Sequence, residues 1–384
     1  MNLVYIANAR IPTEKAHGLQ IMKMSEAFSK LSNFKLILPK RVNRISINEF
    51  EYYDIKNKFK IQKLNCLDFM FLHKFPFKGH FIYFLRTFIY SLRLLFNSSV
   101  KNADVIYTRD IFSTFFLSLI KKNIYYEMHD FPKSKIWLNE IYLKRIRGVI
   151  TTNNWKKDKL IEIFGFNEEK VIALPNAIDL EYFNHMPDKQ KMRDKYKLPS
   201  NRVIVSYIGK FYTMNMTKGI NLFLKAFNEA RKENPKLYLV CAGYSGEETK
   251  LFEKEVRKLD LTNDVSLLEQ VPYKQVKEYY ALADIFVLPY PKTDHYNFFM
   301  CPLKLFEYVA SKKPIIASDL NSVREIFNDQ EVMYFEPGNV IDLKNKILSL
   351  VDINKQNELI SKAYNKLKGM SWNWRADKII NIIN

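Results

Sequence analysis

The chain of 384 residues is too long for one ordinary α/β domain and suits two of roughly 150–200 residues each. Its formal net charge of +19 suits an anionic partner such as anionic lipid or a phosphorylated ligand, and suits equally a merely lysine-rich composition. No RNA-binding aromatic motif, zinc spacing or basic arm accompanies that charge, so nucleic acid is not expected. The three cysteines, Cys66, Cys241 and Cys301, are dispersed, which argues against a disulfide framework or metal centre and for a reducing compartment.

From the N-terminus the chain runs straight into a strand pattern, Leu3-Val4-Tyr5-Ile6, with no basic leader or cleavage site, so a cytoplasmic location is expected. Further strands are expected at 35–38, 104–107, 124–128, 149–152 and 171–174, with amphipathic helices at 19–31 and 155–164. A charged break at 184–199 follows, and then the pattern restarts. Strands at 203–208, 237–242, 264–268, 285–288, 314–318 and 332–335 alternate with helices at 218–232, 247–259, 274–283 and 303–310. Two such runs predict two doubly wound, Rossmann-like domains, 1–184 and 185–371, with ligands beyond the carboxyl ends of their strands. A last amphipathic helix, 372–384, is free to cross back onto the first domain.

Four segments carry chemistry. The loop Ala7-Asn8-Ala9-Arg10 to Ala16-His17-Gly18 leads into a helix, where Gly18 lets the backbone approach a phosphate. The strand Tyr125-Tyr126-Glu127-Met128 ends in His129-Asp130, where His129 can meet a sugar hydroxyl or share a proton with Asp130. Tyr207-Ile208-Gly209-Lys210 and Lys218-Gly219 put two cations around a loop, suited to a departing diphosphate. In Cys301-Pro302-Leu303-Lys304-Leu305-Phe306-Glu307, Pro302 suits the first helical position, and the amides after it suit an anion. Glu307, one turn further in, suits a ribose diol. Each segment alone also has an ordinary explanation: a lone glycine, a satisfied histidine, solvated lysines, a capped helix with a surface glutamate. Separately, 78–96 is aromatic and aliphatic, with Lys78, Arg86 and Arg93 within roughly a quarter of the helical circumference and Lys74 nearby. It reads as an interfacial helix on anionic lipid or as a packed first-domain helix.

Taken in order, these segments resemble the retaining glycosyltransferase family 4, whose fold is the two-domain GT-B architecture facing a central cleft. Pro175-Asn176-Ala177-Ile178-Asp179, Ala283-Asp284-Ile285-Phe286-Val287-Leu288-Pro289 and Lys313-Pro314-Ile315-Ile316-Ala317-Ser318-Asp319 extend the likeness. The resemblance implies a donor site of Gly18, Gly209, Lys210, Lys218, Pro302, Leu303, Lys304 and Glu307, with His129, Lys210 and Lys218 catalytic and His129 and Asp130 on the acceptor side. Lys210 stands where the family usually has Arg, and Phe299 where it has the first of two glutamates. Asp294, His295, Asn297 and Phe299 are therefore the candidates around the donor sugar. The family needs no metal and no cofactor beyond the nucleotide sugar, UDP- or GDP-linked. Its implied partners are a glycan acceptor, polyprenyl-diphosphate-linked in bacterial surface polysaccharide synthesis, and the inner face of the cytoplasmic membrane. A nucleotide-sugar epimerase of similar architecture and a degenerate, non-catalytic partner subunit are the competing readings.

Overall fold

Strands such as Val203–Ile208, Ile285–Leu288 and Ile315–Ser318 are apolar almost throughout, a pattern that only a parallel sheet covered on both faces satisfies. The computed structural model, which describes residues 1–66, 79–132, 136–213, 216–244, 247–351 and 353–384, contains two such sheets. The first comprises β1 (Asn2–Ile6), β2 (Asn33–Lys40), β3 (Lys60–Asn65), β4 (Val105–Thr108), β5 (Ile124–Met128), β6 (Gly148–Thr151) and β7 (Val171–Ala173). Their order is β3-β2-β1-β4-β5-β6-β7, all parallel.

After β8 (Val203–Ile208) comes a two-stranded hairpin, β9 (Tyr212–Thr213) and β10 (Met216–Thr217). The second sheet is completed by β11 (Leu237–Tyr244), β12 (Val265–Glu269), β13 (Ile285–Leu288), β14 (Ile315–Ser318) and β15 (Met333–Phe335). Its order is β12-β11-β8-β13-β14-β15, again parallel throughout. Both orders are of the Rossmann type, with the chain turning back at β1/β4 and at β8/β13.

The chain divides into two units, Met1–Pro175 with Trp372–Asn384, and Asn176–Ser371. This corrects the expected boundary after residue 184. The segment that follows Pro175 is held by the second unit: the Ile178 amide donates to the Met370 carbonyl at 3.0 Å, and Tyr182 stacks on Tyr273 at 4.7 Å. In the first unit the helix Trp372–Ile383 packs beside the helix Ala16–Ser29, where Lys30 Nζ reaches Asn373 Oδ1 at 3.3 Å. β3 was absent from the expected strands because it is an edge strand, paired only with β2 and lacking a continuous buried run. The helix Gly79–Leu95 buries Ile82, Thr87, Tyr90, Ser91 and Leu94, and Tyr90 donates to the Ile37 carbonyl at 2.9 Å. One face of this segment is therefore a packed first-unit helix; Lys74 and Lys78 lie outside the described residues.

One half-buried carboxylate organises the entry to the second sheet. Asp284 Oδ2 accepts from the Ile204 amide at 2.8 Å and from Arg193 at 2.6 Å, while Oδ1 accepts from Lys189 at 3.0 Å. Burial works against its charge, yet the Ile204 amide and Arg193 hold the carboxyl below its ordinary range. Asp284→Ala should therefore cost about 3 kcal/mol, since it leaves the buried Arg193 without its counter-charge. Because the folded pKa is depressed, this contribution is present in full above about pH 4 and is lost as pH falls below it. Urea unfolding from pH 7 to pH 3 checks both parts. A wild-type-to-variant gap that fails to narrow in acid would contradict the assignment.

Candidate active site

At the β8/β13 turning point two loops diverge, the arrangement that opens a crevice beyond the carboxyl ends of such sheets. The first carries Gly209, Lys210, the β9/β10 hairpin and Lys218. The Lys218 amide donates to the Phe211 carbonyl at 2.9 Å, closing the hairpin base. Gly219 follows with φ +80°, and a Cβ there would lie 1.7 Å from the Pro289 carbonyl oxygen. Only glycine lets the two loops meet so closely, and it brings Lys218 to the start of the helix Ile220–Glu233. Lys210 is exposed, its carbonyl held by the Tyr207 hydroxyl at 2.9 Å.

Beyond β13, Tyr290 and Tyr296 stack at 5.1 Å and the short helical turn His295–Phe299 follows. Asn297 is buried, with Oδ1 accepting from the Asn321 amide at 2.9 Å, and Phe299 is buried as well. The Asn297 oxygen is thus committed to the loop's own structure. Asp294 is exposed and His295 half-buried. Asn176 then clamps the approach to the next helix, its amide donating to Cys301 Sγ at 3.3 Å and its Nδ2 to the Cys301 carbonyl at 2.7 Å.

Pro302 caps the helix Leu303–Ala310 rather than occupying its first turn. The Leu305 amide makes the first turn bond, to the Pro302 carbonyl at 3.1 Å, so the Leu303 and Lys304 amides precede the helical ladder at its positive end. Glu307 is 5% exposed, which removes the reading of a surface glutamate. Its Oε2 accepts from the Tyr280 hydroxyl at 2.8 Å and lies 3.0 Å from Lys304 Nζ, while Lys304 Nζ is 2.9 Å from the Tyr280 hydroxyl. Burial, then the Glu307 charge, raises Tyr280 well above the ordinary tyrosine range, so it stays a neutral donor. The Lys304 stem also covers Gly209, with Cε 3.2 Å from where a Cβ would stand. Gly209, Lys304, Glu307 and Tyr280 are thus brought together. Tyr280 had no signal in the sequence: its neighbours read as an ordinary amphipathic helix.

In the first unit His129 follows β5, and its Nε2 lies 3.3 Å from Glu127 Oε1. This corrects the expected Asp130 partner: residues 127 and 129 share one face of a period-two strand, and Asp130 is exposed. Lys156 is fully buried and donates to the His129 carbonyl at 2.9 Å and the Met128 carbonyl at 3.3 Å. Burial and Arg109 push His129 down to about 4, against the opposing pull of Glu127. Burial and the same arginine push His17 down to about 3. Arg109, whose Nη1 is 3.3 Å from Gln20 Oε1, follows β4 and was not anticipated; its signal is the polar Thr108-Arg109-Asp110 directly after an apolar strand. Gly18 is buried under Tyr53, whose hydroxyl would sit 2.1 Å from a Cβ there. That hydroxyl is fixed by the Thr13 amide at 2.7 Å and carbonyl at 2.9 Å, so packing alone requires the glycine. Among the described residues no group of three or more His, Cys, Asp or Glu converges as a metal-binding set.

The chain is similar to known glycosyltransferases. It is 23% identical over 184 residues to the D-inositol 3-phosphate glycosyltransferase of Kineococcus radiotolerans, covering 46% of this chain and 40% of that one. It is 22% identical over 246 residues to the O-antigen chain mannosyltransferase RfbU of Salmonella typhimurium, covering 63% of each. The chain thus spans less than two thirds of the length of either relative. The structure of HepE from Anabaena, solved with UDP and glucose, superposes with a TM-score of 0.72 at 15% identity, over 99% of each chain. Both units therefore have the fold of GT-B glycosyltransferases, and residues 188–366, nearly all of the second unit, match the family described as Glycosyl transferases group 1.

Proposed function

We propose that the protein is a retaining glycosyltransferase of family 4 that moves a sugar from a UDP- or GDP-sugar to a lipid-linked glycan in bacterial surface polysaccharide synthesis. The observation that carries this reading is the joining of Gly209, Lys304, Glu307 and Tyr280 at the carboxyl end of the second sheet, inside the segment that matches the family. In this reading the diphosphate lies on the Leu303 and Lys304 amides, and Glu307 Oε1 accepts from the ribose diol, since both its protein contacts fall on Oε2. The bond from the anomeric carbon to the diphosphate oxygen breaks, and the acceptor hydroxyl oxygen bonds to that carbon on the same face. The hydroxyl proton passes to the departing diphosphate oxygen. Lys210 and Lys218 balance the charge that develops there, without metal.

Glu307→Gln should weaken nucleotide binding by about 1.5–3 kcal/mol, the worth of a charged hydrogen bond. That is roughly tenfold or more in Kd by calorimetry, and an unchanged Kd would exclude the ribose role. Lys218→Ala should lower kcat by about a hundredfold or more. Wild-type turnover in that variant would exclude the phosphate role. Nucleotide binding without turnover in the parent protein would favour the non-catalytic partner subunit.

The acceptor reading rests on the first unit. On the helix Gly79–Leu95, Phe81 is 65% exposed, and Tyr83 and Phe84 are exposed as well. Phe84 meets Phe112 at 5.9 Å and Phe88 meets Phe116 at 5.4 Å, linking this helix to the helix Ile111–Leu117. Phe115 meets Tyr142 at 6.2 Å, on the helix that also exposes Trp137. Among the described residues no helix is long and apolar enough to cross a membrane. These exposed aromatic side chains, with the exposed Arg93 elsewhere on the same helix, suit peripheral contact with an anionic bilayer, the inner leaflet in this reading. Each cation near such a surface contributes about 1 kcal/mol, screened by salt. Sedimentation with acidic vesicles should therefore fall as ionic strength rises. Phe81→Ser with Phe84→Ser should abolish it and spare nucleotide binding. Equal sedimentation with neutral vesicles would refute the electrostatic part.

A further inference from the structure

We propose that Arg375, on the C-terminal helix Trp372–Ile383, is a positioning residue: it fixes Glu127, and Glu127 in turn fixes the imidazole of His129. The inference rests on the reading of His129 as an acceptor-side group.

Arg375 is 1% exposed. Its Nε donates to the Pro175 carbonyl at 2.8 Å, and its Nη2 lies 2.7 Å from Glu127 Oε1 and 3.5 Å from the Leu174 carbonyl. The remaining nitrogen, Nη1, lies 3.7 Å from Met24 Sδ. One guanidinium therefore joins the chain just beyond β7 to the carboxylate on β5. Burying such a pair is no route to stability, because apolar residues of similar volume generally serve as well or better. Something else is gained by this pair, and the geometry says what.

The carboxylate oxygen that receives Arg375 is the same Oε1 that lies 3.3 Å from His129 Nε2. Glu127 is therefore shared between a cation from the C-terminal helix, which it binds directly, and an imidazole at the strand end, which it meets by charge rather than through an aligned hydrogen bond. Arg375, the nearer partner, holds the oxygen in place and holds its charge, so that Glu127 titrates well below the ordinary carboxylate range even though burial opposes this. The groups facing Glu127 are Arg375, His129, Arg109, Tyr107 and Tyr5. Those facing His129 are Arg109 after β4, Glu127 on β5, Lys156 from the helix Asn154–Phe164 and His17 from the helix Ala16–Ser29. Apart from Glu127, the charged groups here are Arg109 and Lys156, and both disfavour an imidazolium, while His17, pushed down to about 3, is neutral. Removing Arg375 takes a positive charge from the cluster and leaves Oε1 facing His129 alone. The imidazole is then drawn toward the carboxylate and gains a proton, losing both its position and its neutrality.

The test compares Arg375→Met and Arg375→Lys with the parent protein, following the ¹⁵N imidazole resonances of His129, assigned through a His129→Asn variant. In Arg375→Met the His129 titration should move up from about 4 toward the ordinary value of about 6.5. Transfer kcat should fall by up to about a hundredfold, as a displacement near 1 Å would cause. UDP affinity, set in the second unit, should not change, and Arg375→Lys should restore part of both effects. Unmoved His129 resonances with unchanged kcat would overturn the proposal. Moved resonances with unchanged kcat would leave the coupling standing and overturn the acceptor-side reading of His129. Should Arg375→Met fail to fold, the near-isosteric Glu127→Gln carries the test with the opposite sign. His129 then stays neutral to still lower pH while kcat falls, and a His129 titration that moves upward or stays fixed would overturn the proposal.

Discussion

A single hydroxyl joins the end of β8 to the helix that follows Pro302. Tyr308 accepts from the Ile208 amide at 2.8 Å and donates to the Ile208 carbonyl at 3.3 Å, while its ring stacks on Phe286 at 4.0 Å. The last residue of β8 is thereby tied to the helix Leu303–Ala310 from the side, in addition to its own sheet pairing. That tie brings the first turn of the helix against Gly209, where Lys304 covers the glycine. Burial pushes the Tyr308 hydroxyl well above the ordinary tyrosine range, so it keeps the proton the arrangement needs. This bond thus ties the end of β8 directly to the helix that carries the unpaired amides and Glu307, beside the contacts made by Lys304 and Tyr280.

Buried charge recurs as the means of fixing segments. Asp284 pins the start of β8 to the helix Lys189–Lys195, Glu307 gathers Lys304 and Tyr280, and Arg375 joins the C-terminal helix to β5. Each of these three ion pairs closes at hydrogen-bonding distance, which is the condition for tolerating such charge away from water. Several residues of the stretches that carry the resemblance have structural duties: Asn176 holds Cys301, Asp179 caps the helix Leu180–Asn184 through the Tyr182 amide, and Asp319 holds Arg324 in a two-point ion pair.

Legibility in the sequence followed burial. The strands of the sheet interiors, such as β5, β8 and β13, were readable because both of their faces are covered and their residues are apolar in continuous runs. β3 was not, since an edge strand with polar alternation carries no such run. At the site, the helix after Pro302 and the loop bracketed by two lysines could be found from glycine, proline and charge along the chain. The partners of those residues could not. Tyr280 and Arg375 act across long sequence separations, and nothing local to Glu307 or Glu127 names them. Glu127 itself was a usable signal, because a carboxylate in the middle of an apolar strand demands a cation somewhere in the fold. His129 was read with its sequence neighbour Asp130, whereas the pleat puts residues 127 and 129 on one face.

The central claim is that the crevice beyond β8 and β13 holds a nucleoside diphosphate. The most direct measurement is the thermal stability of the purified protein with UDP, GDP and adenine nucleotides. A ligand at a hundredfold excess over its Kd adds about 2.7 kcal/mol to the native state. Melting temperature should rise clearly with UDP or GDP, and the rise should shrink to about half or less in Glu307→Gln. No rise with either nucleotide, or an equal rise in the variant, would contradict it.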